Sequence, residues 1–192
     1  TGRFVLVVSA GLLYFFSLGM LLPVVPLYVE GPLRNGKLAV GIAVGAFSAG
    51  AILLRPFAGL IGDRNGRRLL IIGGAVVVAA SVALYHLASG VEAFVAFRLL
   101  GGVGEAAFFV GAGTMVTDLA PEERRGEAIS YWSVAVYGGL ALGPWLGESL
   151  ACDGARRSCA DGRFGTVWTT SAAMALAAGA IGRFTRESAG TL

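Results

Sequence analysis

Charged side chains are scarce in this chain of 192 residues, since 15 basic and 12 acidic residues make up only 14% of it. A soluble domain carries ~25%. Hydrophobic residues account for 56%, and the mean hydropathy is +0.75. A soluble fold needs a polar surface that so few charges cannot provide. The composition therefore argues against a soluble enzyme or a disordered tail and predicts a polytopic membrane protein.

Residues that carry enzyme chemistry are also few. The chain has one histidine and two cysteines. It contains no cluster of metal ligands, no glycine-rich loop that would hold a phosphate, and no nucleophile beside a base. Its arginines are scattered in loops and are not interleaved with aromatic residues, so nothing indicates nucleic-acid binding. We therefore expect no enzymatic activity, no cofactor, no metal and no ATP-driven pumping.

Long apolar stretches fill most of the chain. At ~1.5 Å of helical rise per residue, each is long enough to cross a hydrocarbon core of ~30 Å. Thirty glycines favour close packing of such helices through small residues. The sequence thus predicts an all-α membrane protein with six transmembrane helices. The six stretches cover residues 4–28, 38–61, 69–87, 93–115, 128–150 and 164–181.

Basic residues are distributed unevenly between the two sets of loops. Eight lie on the side of the N-terminus and five on the opposite side, which predicts that both termini are cytoplasmic. The preference for arginine over lysine favours a bacterial source, and hence the cell membrane. Tyr28, Tyr85, Trp145 and Trp168 fall near predicted span ends, as interfacial aromatic residues do. The eight are Arg3, Arg64, Arg67, Arg68, Arg124, Arg125, Arg183 and Arg186, and the five are Arg34, Lys37, Arg156, Arg157 and Arg163.

Cys152 and Cys159 lie in the predicted external loop between spans five and six. In an oxidising compartment a disulfide in so short a loop would contribute ~2–3 kcal/mol. Two free thiols are the alternative, and the sequence leaves both open.

The loop after the second span reads GLIGDRNGRR from Gly59 to Arg68. A carboxylate ends one helix, Gly66 allows a tight turn, and a basic cluster precedes the next helix. This spacing resembles the signature of the major facilitator superfamily between its second and third spans. The resemblance implies a latch segment that grips the partner half of the transporter in the outward-open state. The alternative is a solvated loop without a gating role.

The residues of this latch segment are Gly59, Asp63, Arg64, Gly66, Arg67 and Arg68. Asp118, at the cytoplasmic end of span four, is expected to be the counter-ion of Arg67 or Arg68 and is counted with it.

Three further stretches match the same superfamily in its order. They are the proline-rich end of span one from Pro23 to Tyr28, the Arg98–Gly104 element of span four, and the Gly139–Gly147 element of span five. The last resembles the motif of drug–proton antiporters, although Glu148 replaces its final glycine. Together they imply the N-terminal six-helix half, a 3+3 repeat, of a major facilitator fold. The other half would be missing, or supplied by a second copy.

Gly139, Gly143 and Gly147 recur at every fourth position and form a smooth stripe on span five. Such stripes indicate close helix packing, and the antiporter resemblance implies that this one also seals against leak. Pro144 within it is expected to bend the helix.

Arg98 and Glu105 are the charges that fall within span four. Seven residues separate them, so they share nearly one face at ~10 Å along the axis. A charge at this depth is costly unless paired or hydrated, and it marks a pathway by default. We expect them to serve proton coupling and the substrate pathway, through a bridged or interhelical arrangement. A structural charge pair is the alternative. Arg55 is expected to extend to the cytoplasmic interface in a structural role.

The leading hypothesis is an efflux transporter that moves small amphipathic or drug-like molecules outward in exchange for protons. Its partners would be the lipid bilayer, the small-molecule substrate and protons. Span one contains no acidic residue between Arg3 and Glu30, where the resemblance implies one in many multidrug members. A nutrient or metabolite symporter of the same fold is therefore an alternative. A helical bundle that folds or dimerises without transporting is another.

Overall fold

A computed structural model describes residues 2–152 and 163–184 of this chain, and six long helices make up most of this part. Each predicted span falls on one of these helices, and the described residues contain no strand. The predicted all-α architecture is therefore confirmed. The helices are α1 (Gly2–Glu30), α2 (Lys37–Asn65), α3 (Arg67–Leu84), α4 (Val91–Asp118), α5 (Arg125–Ala151) and α6 (Phe164–Gly182), with short 3-10 turns at Tyr85–Leu87 and Glu122–Arg124.

Five helices in the described part are long and apolar enough to cross a membrane, namely α1, α2, α3 with its following turn, α4 and α6. The exception, α5, is 27 residues long but is rich in glycine, serine and tyrosine, which lowers its hydropathy. It runs parallel to α1, from Tyr131 beside Phe4 to Gly147 beside Met20. Because of this alignment, α5 covers the same depth as α1.

The helix contacts reveal an internal repeat. α1 packs against α5 and α6, α4 packs against α2 and α3, and α3 and α6 contact each other. Moving every helix three places along the chain reproduces this set of contacts. The bundle therefore consists of two equivalent three-helix units, as in the repeats of transporter folds.

Glycines bring α1 and α5 into backbone contact. A Cβ placed on Gly143 would lie only 2.6 Å from the Cα of Gly19, and one on Gly139 would lie 2.6 Å from the backbone nitrogen of Phe16. Gly147 meets the backbone of α1 in the same way. The glycine stripe of α5 thus faces α1, and α5 continues as one helix through Pro144.

Aromatic residues close the end of the bundle opposite the latch segment. Tyr85 and Trp168 are each 1% exposed, and their rings lie 5.2 Å apart. Phe94 and Tyr28 complete the cluster, at 4.7 Å from Tyr85 and 5.4 Å from Trp168 respectively. The prediction that Tyr85 and Trp168 are interfacial is wrong, because their ring area is buried between four helices. Trp145 is exposed, as an interfacial residue would be.

Cys152, at the end of α5, is disulfide-bonded. Its predicted partner Cys159 lies outside the described residues, as do Arg156, Arg157 and Arg186.

The glycine contact between α1 and α5 gives a first prediction. Replacing Gly143 with Ala adds one methyl group against the backbone of α1, so the free energy of unfolding should fall by about 1–3 kcal/mol. The measurement is thermal unfolding of the purified protein in detergent. In the control Gly138→Ala, the new methyl group meets no atom closer than 3.7 Å. The Gly138→Ala substitution should leave the free energy of unfolding unchanged or raise it slightly. Equal loss in both variants would contradict the proposed contact.

Candidate functional site

A cavity of about 230 Å³ opens between α1, α2, α4 and α5. Phe15 and Leu18 of α1, Phe47 of α2 and Leu140 of α5 contribute to its mostly apolar lining. The charged residues in its wall are Arg98 and Glu105, both on α4. The cavity therefore combines apolar surface with two charges at bilayer depth, and we regard it as the candidate site.

A second cavity, of about 320 Å³, lies at the arginine-rich end between the start of α1 and the connection from α4 to α5. Its charged residues, Arg124 and Glu127, are exposed and form an ion pair with each other at 2.7 Å. Because these charges already satisfy each other, this larger cavity offers less chemistry than the central one.

Arg98 is 5% exposed and is held by neutral partners. Its Nε donates a hydrogen bond to the Ala43 carbonyl oxygen of α2 at 3.2 Å. Its guanidinium lies 4.5 Å from the centroid of the Phe47 ring, also on α2. No ion pair of Arg98 occurs within residues 2–152 and 163–184. Arg98 thus joins α4 to α2 while retaining its positive charge.

Glu105 is equally buried but has a cationic partner. Its Oε1 lies 3.6 Å from a terminal nitrogen of Arg55 on α2. Its Oε2 is buried and has no hydrogen-bond partner among the described residues. Arg98 and Glu105 are therefore not paired with each other, and the arrangement around Glu105 is interhelical.

The prediction that Arg55 extends to the cytoplasmic interface is wrong. Its guanidinium points to α4, where it lies beside Glu105 and 4.6 Å from the centroid of the Phe109 ring. Phe109 follows Glu105 by four residues and so lies on the same helix face. The carboxylate and the face of the aromatic ring both attract the cation.

The sequence analysis did not identify Tyr14 of α1 as a candidate site residue. It is fully buried, and its ring stacks on Phe108 of α4 at 3.6 Å between centroids. Its hydroxyl has no hydrogen-bond partner in the described part of the chain. A single tyrosine in an apolar run gives no signal of such a position, since only the packing of α1 on α4 brings it there.

The glycines beside Arg98 leave room for neighbouring helices. A Cβ on Gly102 would lie 2.8 Å from the backbone nitrogen of Ala51 in α2, and one on Gly104 would lie 2.8 Å from the carbonyl oxygen of Gly74 in α3. α4 therefore packs closely between the backbones of α2 and α3, and this contact sets the positions of Arg98 and Glu105.

The latch segment begins where α2 ends. Gly66 separates α2 from α3 with φ 90° and ψ 148°, a backbone conformation that only glycine adopts without strain. Its N–H donates to the Gly62 carbonyl oxygen at 3.0 Å. This turn places Arg67 at the first position of α3, next to the end of α4.

Arg67 is the centre of the charge network in the latch segment. Its Nε lies 2.9 Å from Asp118 on α4, and a terminal nitrogen lies 3.8 Å from Asp63 on α2. The side chain of Asp63 is 73% exposed. A Cβ on Gly59, one turn earlier, would meet no atom within 4 Å. Arg64 is exposed and Arg68 is half-buried. The network thus joins the ends of α2, α3 and α4. The carboxylate of Asp63 stays exposed, and the helix surface at Gly59 stays open.

The turn at Gly66 gives a second prediction. Alanine at this position must adopt the same positive φ, so Gly66→Ala should lower the free energy of unfolding by about 1–3 kcal/mol. Thermal unfolding in detergent measures this. The control is Gly36→Ala at the start of α2, where φ is –86° and a Cβ has open space. A loss at Gly36 as large as at Gly66 would contradict the conformational explanation.

Known proteins share both the sequence and the fold of this chain. Multidrug resistance protein 2 of Bacillus subtilis is 31% identical over 153 residues, which are 80% of this chain and 38% of that protein. Quinolone resistance protein NorA of Staphylococcus aureus is 26% identical over 139 residues, which are 72% of this chain and 36% of NorA. The chain spans well under half the length of these relatives.

Solved structures also share the fold of this chain. The inward-open xylose transporter XylE from E. coli superposes with a TM-score of 0.79 at 19% identity, over 96% of this chain and 48% of XylE. A bacterial homologue of the human lysosomal transporter Spinster gives 0.75 at 18% identity, over 96% of this chain and 43% of that one. The sequence model of the Major Facilitator Superfamily matches residues 7–190. The chain therefore belongs to the major facilitator superfamily.

Proposed function

We propose that this bundle is the N-terminal half of a secondary transporter that exports small amphipathic molecules in exchange for protons. The chain is less than half as long as its relatives, and every motif that it shares with the superfamily belongs to the first half. Transport by alternating access needs two bundles that rock about a central site. The second bundle would be the C-terminal half or a second copy.

The observation that carries this proposal is the buried carboxylate in the central cavity. Glu105 is 5% exposed, and one of its oxygens has no partner in the described residues. A carboxylate at this depth is costly, and so it is retained mainly where it has a function. The free oxygen can hold a proton, while the apolar wall beside it can receive the body of an amphipathic molecule. Arg98 lines the same cavity and would set the field around both.

The class of substrate and the direction of transport are suggested by the relatives. Two of them are named for multidrug resistance and for quinolone resistance, which are consistent with export of drug-like molecules. The glycine stripe of α5, which resembles the antiporter motif, would keep α1 and α5 sealed against leak. The bacterial relatives favour the cell membrane, and the arginine-rich end favours cytoplasmic termini.

The latch segment would control the conformational change. Asp63 is exposed, and its ion-pair distance to Arg67 is long at 3.8 Å. A carboxylate in this position can bind the positive N-terminal end of a helix in the partner bundle. Gly59 would let that helix approach closely. Arg67 and Asp118 would keep the ends of α3 and α4 together while the latch opens and closes.

Replacing Glu105 with Gln tests the proton site. The amide cannot release a proton, so substrate flux should no longer respond to a pH gradient. The measurement is substrate flux into proteoliposomes that contain the purified protein, with and without an imposed gradient. The control Glu92→Gln changes an exposed carboxylate in the first turn of the same helix and should behave as wild type. Unchanged proton dependence in Glu105→Gln would remove Glu105 from the mechanism.

Replacing Asp63 with Asn tests the latch segment. Transport should fall several-fold, because the amide cannot neutralise a positive helix end. Stability should hardly change, because exposed ion pairs contribute only about 0–1 kcal/mol. The same flux assay and thermal unfolding measure the two effects. Glu123→Gln, an exposed carboxylate at the same end of the bundle, is the matched control. Undiminished transport in Asp63→Asn would contradict the latch.

A further inference from the structure

The two side chains of the ion pair between α2 and α4 differ in how far they are exposed to solvent. The side chain of Arg55 is 44% exposed, whereas that of Glu105 is 7% exposed. An arginine stays protonated at any physiological pH, so the only proton that can move within this pair is that of Glu105. The pair thus joins a buried acid to a partly exposed cation.

Phe109 gives the cation a second point of attachment. The guanidinium carbon of Arg55 lies 4.6 Å from the centroid of this ring, which is within the range of a cation–π contact. If Glu105 takes up a proton, its attraction for Arg55 falls, but the aromatic contact remains. Arg55 can therefore leave and recover the carboxylate without moving far from it.

Arg55 is the cation that forms an ion pair with Glu105 within residues 2–152 and 163–184. None of the other ion pairs in this part of the chain includes Glu105. Arg98, on the same helix, binds a carbonyl oxygen and a ring of α2. Between residues 4 and 29, α1 has no charged residue, and its titratable groups there are Tyr14 and Tyr28. Between residues 69 and 84 of α3, 128 and 147 of α5, and 164 and 182 of α6, the sequence has no charged residue.

From this geometry we infer that Arg55 is the internal counter-ion of Glu105 and sets the pH at which Glu105 exchanges its proton. The inference rests on the proposed function, because it concerns the same proton site. The guanidinium stabilises the carboxylate relative to the neutral acid, so it favours proton release. Loss of the proton strengthens the contact between α2 and α4, and gain of the proton weakens it.

The position of Arg55 also gives proton exchange a route to the latch segment. Arg55 and Asp63 are eight residues apart on the uninterrupted helix α2, which is about 12 Å along its axis. Because α2 carries both Arg55 and Asp63, a weaker contact between Arg55 and α4 also means that the helix bearing Asp63 is held less firmly against α4. Arg55 is a positioning residue in this scheme, since it acts through Glu105.

The test follows the proton of Glu105 directly. The C=O stretch of protonated carboxyl groups is recorded by infrared spectroscopy on the purified protein in nanodiscs over a range of pH. Subtraction of the Glu105→Gln spectrum identifies the band of Glu105. In Arg55→Gln the midpoint of this band should move to higher pH by about one to two units, because the stabilising cation is gone. Arg55→Lys, which keeps the charge, should move it less.

Lys37→Gln is the matched control, since it removes a positive charge from the exposed first turn of the same helix. It should leave the midpoint unchanged. An unchanged midpoint in Arg55→Gln would overturn the inference, as would equal shifts in Arg55→Gln and Lys37→Gln. If Arg55→Gln does not fold, Arg55→Met provides the test, since it also removes the charge. Its midpoint should likewise move to higher pH, and an unchanged midpoint would equally overturn the inference.

This experiment contains no substrate and no gradient, so it gives its answer independently of transport. A shifted infrared midpoint together with substrate flux that ignores pH would support the role of Arg55 and contradict the proposed proton coupling. The two ideas can therefore fail separately.

Discussion

Contact between helix backbones is the constraint on which the rest of this bundle depends. α4 meets the backbone of α2 at Gly102 and the backbone of α3 at Gly104. Because the axes are so close, Arg98 reaches a backbone carbonyl of α2, and Arg55 of α2 reaches Glu105. Larger residues at these glycines would push the helices apart and separate the charges by the same distance. The glycines therefore determine the electrostatics of the cavity as well as the packing.

The cavity handles its two buried charges in different ways. Arg98 is stabilised by a carbonyl oxygen and an aromatic ring, and neither of these partners gains or loses a proton. Glu105 depends on a cation from a second helix and keeps one oxygen without a partner in the described part of the chain. A buried charge that loses its partner is strongly destabilised. The charge of Glu105 is therefore conditional on the position of α2, which is a useful property in a site that must respond to movement.

The internal repeat makes this difference clearer. The contact between α1 and α5 is equivalent to that between α4 and α2, and both are built on glycine. The α1–α5 contact has no charge between the ends of its helices, whereas the α4–α2 contact contains Arg55, Arg98 and Glu105. The same packing thus gives an uncharged helix contact between α1 and α5 and a contact with ionisable residues between α4 and α2. In the proposed transporter, the first contact would be a permanent seal and the second would change during the transport cycle.

Much of this could be predicted from the sequence, because the features are local. Apolar length defines the six helices, Gly66 defines the turn between α2 and α3, and the spacing from Gly59 to Arg68 indicates the family. The partners of buried side chains were harder to predict from the sequence. Arg55 looks like any arginine near a span end, and Tyr85 and Trp168 look like interfacial residues. Their roles depend on which helices are neighbours, and residues 50 positions apart in sequence give no local sign of contact. The sequence by itself determined which segments are helices and which of them carry charge. Only the tertiary structure decided which charges meet, because that depends on how closely the helix backbones approach.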